Sequence, residues 1–186
     1  ILLFNAMQSS LSMVYDRETG AMRTLLVSPF PRSFLLLSKL IGSVAVALLQ
    51  AYAFLAVCYF WEIEPPFIGY FTVAPAIILA GLMLGAMALF ISSVIRQLEN
   101  FAGVMNFVIF PMFFASSALY PLWRIRESSP LLYEICKVNP FTYAVELIRF
   151  ALYGQVGPRL SDGSLDLTNL YVVIGYTVFF LGAAVY

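Results

Sequence analysis

Long apolar runs alternate along the chain with short polar connections. Five apolar segments stand out: Ile1 to Val14, Leu40 to Trp61, Phe71 to Ile95, Phe101 to Leu122 and Leu167 to Tyr186. The middle three are long enough to cross a hydrocarbon core as helices, which takes about 20 residues. The first and last look truncated, and a chain that opens at Ile1 and closes at Tyr186 inside an apolar run reads as a piece of a longer protein. Nearly all the charge lies in four connections, Tyr15 to Lys39, Glu62 to Tyr70, Arg96 to Asn100 and Pro121 to Asp166.

The last of these is not ordinary loop. Leu131 to Gly154 is still largely apolar and is broken in its middle by Asn139 and Pro140. Asn is a good helix cap and Pro suits the first helical position. The pattern predicts two short helices, one on each side of the break, each too short to span and dipping into the outer leaflet or lying on it. Ser161 to Ser164, with Asp162 and Gly163, predicts a turn before the last span. In the first connection, the stretch from Asp16 to Ser28 places Met22, Leu25 and Leu26 on one side of a short helix and Arg17 and Arg23 elsewhere. Pro29 and Pro31 stop that helix, and Ser33 caps the next. On physics alone the segment could also rest on the lipid surface as an amphipathic helix.

Composition decides the class. Hydrophobic residues make up 62% of the chain and charged ones 11%, whereas a soluble domain is about a quarter charged. The expected fold is an all-α integral membrane bundle of about five spans, with a cytoplasmic helix in the first connection and two short outer re-entrant helices. Ten basic and ten acidic residues cancel, so there is no basic surface for nucleic acid. Cys58 and Cys136 fit no CxxC pattern and the chain has no histidine, which excludes the usual zinc and haem sites. The first run lacks a basic n-region and does not read as a signal peptide.

Positive residues are retained on the cytoplasmic side. Arg17, Arg23, Arg32 and Lys39 place the first connection there, opposite Glu62 and Glu64 in the next. Alternation puts Arg96 to Asn100 inside and Pro121 to Asp166 outside; the latter holds several basic residues, but long translocated segments obey the rule poorly. Single cysteines at Ser28 and Ser161 are therefore expected to label from opposite sides of the membrane. Labelling of both by an impermeant maleimide applied from outside overturns this orientation.

Asn5, Gln8, Ser9 and Ser12 share one helical face, which Asp16 continues. Polar residues at membrane depth face protein or water, so this face either lines a translocation path or holds the bundle together by interhelical hydrogen bonds. Gly81 and Gly85, prolonged by Ala88 and Ser92, form a small-residue stripe for close helix packing. Gln50 and Asn106 read as packing residues, and Pro111 as a kink. Glu146 and Arg149, one turn apart, are expected to pair on the outer helix at a surface value of about 0.3 to 0.5 kcal/mol. No span holds paired carboxylates, and there is no GxxxxGK[ST], no nucleophile elbow and no histidine base. Energised work would need another polypeptide or a missing region to supply the energy.

The first connection, DRETGAMRTLLVSPFPRSFLLLSK, resembles the cytoplasmic segment of the ABC-2 type transporter permeases at Asp16, Arg17, Glu18, Gly20, Leu25, Leu26, Pro29 and Lys39. SSALYPL, Ser116 to Leu122, is similar to that family's SGxxxPL at the outer end of the fifth span, with Ser117 in place of Gly. NPFTYAVELIR is similar to its NPxxYxxxxxR in the outer re-entrant helices, at Asn139, Pro140, Tyr143 and Arg149, with Glu146 between them. The resemblance implies that residues 1–186 are an ABC-2 transmembrane domain truncated at both ends, lacking the first of six spans. It implies a multi-pass permease in a bacterial inner membrane that exports a hydrophobic, lipid-linked or glycan-type substrate. Expected partners are a second permease copy, identical or not, and separate ATP-binding subunits that carry the ATP and Mg, this chain binding no cofactor of its own and being no enzyme. Asp16, Arg17, Glu18, Gly20, Met22, Leu25 and Leu26 would then couple the ATPase to the spans. The rival reading is a scaffold membrane subunit without transport.

Overall fold

The computed structural model describes residues 1–20, 32–61, 66–95, 98–120, 122–153 and 168–185. Among them the chain forms α-helices and no strand: α1 (Leu2–Glu18), α2 (Arg32–Phe60), α3 (Phe67–Val94), α4 (Leu98–Phe114), α5 (Leu122–Ser128), α6 (Pro130–Val138), α7 (Pro140–Tyr153) and α8 (Thr168–Val185). Helices are what such apolar runs must form, because each helix satisfies its own backbone polar groups where no water can.

The bundle is built around α3, which packs against α1, α2, α7 and α8. Apolar residues all round it suit its enclosed second half, where Met83 to Leu89 are all buried, while the first half still exposes Phe67, Ile68 and Phe71. Ala80 and Leu84 of α3, Val14 of α1, Ala144 of α7 and Val173 of α8 share the main core. The stripe of small residues on α3 faces α2: a Cβ at Gly81 would lie 3.3 Å from Val44, and one at Gly85 would overlap the end of Leu40. Its work is therefore a close contact inside the chain. α2, by contrast, exposes Ile41, Leu49, Phe54 and Val57, an apolar surface fit for lipid.

Two helices, Phe34–Phe60 and Phe67–Val94, are long and apolar enough to cross a membrane, and Thr168–Ala184 is a shorter apolar helix. α1 and α4 have 17 residues each, a rise of about 25 Å.

Several boundaries differ from expectation. α1 does not stop near Val14 but runs on to Glu18, so Asp16, Arg17 and Glu18 form its last turn and not the start of a separate helix. Gly20 follows with φ +76, a left-handed conformation that glycine adopts without steric cost. α2 starts at Arg32, which puts Ser33 inside the helix and not at its cap. α4 starts at Leu98, within the stretch expected to be a link. Pro111 lies inside α4 and Pro75 inside α3. The break at Asn139 and Pro140 separates α6 from α7 as expected, and α5 is an additional short helix before them. Met22, Arg23, Leu25, Leu26, Ser28, Pro29 and Pro31, the Glu62 and Glu64 turn, and the turn at Ser161 to Ser164 lie outside the described residues.

Candidate functional site

Two polar clusters stand at the ends of the bundle. At the first, the end of α1 meets the start of α2 and the end of α3. Asp16 forms an ion pair with Lys39 of α2, and Lys39 Nζ also lies 3.5 Å from Ser12 Oγ, one turn back on α1. Arg17 Nη1 donates to the carbonyl of Ser92 at 3.0 Å. Ser92 sits in the last turn of α3, where carbonyls lack helical partners and the helix end attracts a cation. Glu18 is exposed.

The polar face of α1 turns partly towards α2. Asn5 Nδ2 donates to the carbonyl of Ser43 at 3.0 Å, and Ser12 Oγ donates to the carbonyl of Ser9 at 2.8 Å within α1. Asn5 and Asp16 are thus brought against α2 and Ser12, itself exposed, lies beside Lys39, whereas Gln8 stays exposed without such a contact and Ser9 half-buried. Gln50 and Asn106, expected to serve packing, are instead exposed.

The second cluster joins α7 to the C-terminal end of α4. Asn139 Nδ2 donates to the carbonyls of Met112 (2.7 Å) and Ala115 (2.8 Å), and its Oδ1 accepts from the backbone N–H of Phe141 at 3.0 Å. One side chain thereby satisfies orphan carbonyls where α4 ends and an orphan N–H where α7 begins. Pro140 opens α7 as its first residue. Ser117 Oγ donates to the carbonyl of Thr142 at 3.4 Å, and Arg149 Nη2 donates to the carbonyl of Ser117 at 3.1 Å. The family's glycine position is therefore filled by a serine whose hydroxyl is used. Tyr143 donates to the carbonyl of Lys137 at 2.7 Å, tying α7 back to α6.

Glu146 and Arg149 do pair, at 3.0 Å, but not as the surface pair the spacing suggested. Glu146 is only 6% exposed; it shares a face of α7 with Thr142, whose carbonyl accepts from Ser117 in the turn after α4. At its far end α7 lies on α3: Thr72 Oγ1 donates to the carbonyl of Ala151, and a Cβ on Gly69 would overlap the carbonyl oxygen of Leu152. Cys136, on the short α6, is a free buried thiol that burial pushes above its usual pKa. Such a thiol is unreactive.

In the first cluster the amine beside Ser12 is ion-paired with Asp16 and so acts as a cationic donor. Both clusters tie helix ends together, which suits mechanical work. Gly69 and Thr72 in the second cluster carried no signal in the sequence, whereas Ser92 was visible as part of the small-residue stripe and Lys39 and Ser117 as positions in the family resemblance, none of them with its partner.

The sequence model of the ABC-2 type transporter family matches residues 1–153. Across 97% of its length the chain is 27% identical to a protein of Cyanophora paradoxa named as the transport permease ycf38, covering 63% of that protein. Across 86% of its length it is 31% identical to a protein of Escherichia coli strain K12 named as the multidrug ABC transporter permease YbhR, covering 40% of it. Nodulation protein J of Neorhizobium galegae is 26% identical over 57% of the chain, which covers 39% of that protein. The chain thus spans only part of the length of each of these relatives.

Proposed function

Because the chain belongs to the ABC-2 type transporter family, we propose that it is the membrane-spanning permease part of an ATP-driven exporter whose energy comes from a separate ATP-binding subunit. α1 to α4 and α8 are then five spans, with α5 to α7 as the outer re-entrant segment. The clustered ends of α1, α2 and α3 face the cytoplasm of a bacterial cell across its inner membrane. A second permease copy completes the path, and the exposed Gln8 on the polar face of α1 is directed at that copy or at the path. The substrate class is hydrophobic or lipid-linked, including glycan-type molecules, in keeping with a relative named for multidrug transport.

The observation that carries this reading is the joining of three helix ends through Asp16, Lys39, Arg17 and the Ser92 carbonyl. It occurs where the resemblance puts the ATPase-coupling segment, and a push there reaches α3, the helix about which the others pack. ATP-dependent accumulation by inside-out vesicles, assayed over a panel of amphipathic dyes and lipid-linked saccharides, tests it. At least one compound is expected to accumulate, with loss of accumulation when the partner's ATP site is disabled. Vesicles that accumulate none of them, although the ATPase is bound and active, point to a scaffold subunit.

A further inference from the structure

We propose that Lys39 is a positioning residue that clasps α1 to α2, so that a force on the connection between these helices is delivered to α3. This rests on the permease reading above and names a residue through which the coupling acts.

The last turn of α1 carries Asp16 and Arg17 side by side. Lys39 reaches two successive turns of that helix, pairing with Asp16 and lying 3.5 Å from Ser12. The neighbouring residue, Arg17, bonds in turn to the last turn of α3 at the Ser92 carbonyl. The end of α1 is therefore held by two cations, one reaching in from α2 and one reaching out to α3. Both contacts are charge-assisted and so stronger than neutral hydrogen bonds.

An apolar layer lies beside the charged one. Leu40, next to Lys39, is 1% exposed and clusters with Met13 of α1 and Leu89 of α3. Ser92 Oγ lies 3.8 Å from the sulfur of Met13. The three helices thus meet in a packed node, closed on one side by the Asp16 and Lys39 pair. With the clasp shut, α1 cannot shift against α2 or α3 without breaking a charged contact. With it open, α1 and α2 lose their charged contact at this end and keep the apolar packing of Leu36 and Leu40 around Met13, and a push on the connection is dissipated locally. The side chains of Lys39 and Asp16 are 28% and 27% exposed, so the pair is partly shielded from screening while remaining open to substitution.

The experiment uses the full-length permease purified with its ATP-binding subunit, comparing wild type, Lys39→Met, Asp16→Asn and the exchange Asp16→Lys with Lys39→Asp. The readouts are amount of membrane-inserted permease, amount of ATP-binding subunit retained and MgATP hydrolysis by the complex. Each single variant is expected to insert and retain the subunit as wild type does but to hydrolyse ATP at least fivefold more slowly, and the exchange is expected to restore hydrolysis to within twofold. Single variants within twofold of wild type overturn the proposal. So does an exchange no better than the single variants, or a loss of inserted permease that matches the loss of hydrolysis, which marks a merely structural pair. If wild type itself retains no ATP-binding subunit, the permease reading fails and the clasp with it.

Discussion

Arg149→Ala is expected to destabilise the protein by about 3 to 5 kcal/mol, the usual cost of leaving a buried charge without its partner. Glu146 is almost fully enclosed, and its ion-pair partner is Arg149, which also holds the Ser117 carbonyl. Removing the guanidinium strands a carboxylate and a carbonyl together. Replacing both charges with apolar groups of similar volume, Glu146→Leu with Arg149→Met, should recover most of the loss, because the desolvation cost disappears along with the attraction. Thermal melting of detergent-solubilised protein, followed by size-exclusion chromatography, measures this: the single variant should melt about 10 °C lower and the double variant close to wild type. An Arg149→Ala protein that melts like wild type but no longer transports would make Arg149 a ligand for an anionic group, not a clamp.

The second large effect is expected at Gly69. A methyl group there would overlap a backbone oxygen at the end of α7, and no side-chain rotation can relieve a clash with backbone. Gly69→Ala should push α7 away from α3, break the bond between Thr72 and the Ala151 carbonyl and cost about 1 to 3 kcal/mol or more. Gly175→Ala and Gly182→Ala on α8 are the controls. Nothing lies within 4 Å of a Cβ at either position, and alanine is the better helix former. In the same melting assay the Gly69 variant should fall well below both controls; melting together with them would mean that α7 does not rest on α3 at that point.

These residues also show how far the sequence could be read. The helices and the Asn139 and Pro140 break were legible because continuous apolar character and a local cap are properties of neighbouring residues. The depth of Glu146 was not. Spacing says that Arg149 stands one turn away, but burial depends on packing against parts of the chain remote in sequence, such as the Ser117 carbonyl that Arg149 also holds. Gly69 looks like an ordinary glycine near the start of a span until α7 is brought across it. α2 begins eight residues ahead of the Leu40 run, and Lys39, the last residue before that run, keeps its charge in a polar setting beside Asp16. The polar face of α1 was visible as a stripe, yet only contacts distinguish Asn5, bonded to α2, and Ser12, beside Lys39, from Gln8, turned outward.

The central claim is that a separate ATPase drives this chain through the end of α1 and the connection that follows it. Capture of the ATP-binding subunit by tagged permease, with ATP hydrolysis measured on the captured complex, tests it most directly for wild type, Glu18→Lys and Leu25→Asp. Wild type should capture an active ATPase. Each variant should insert normally and lose capture or hydrolysis, and Glu18→Lys should weaken the contact by about 2 to 5 kcal/mol if the glutamate is buried against its partner. Normal capture, hydrolysis and transport in both variants would contradict the account and leave the segment as a helix resting on lipid.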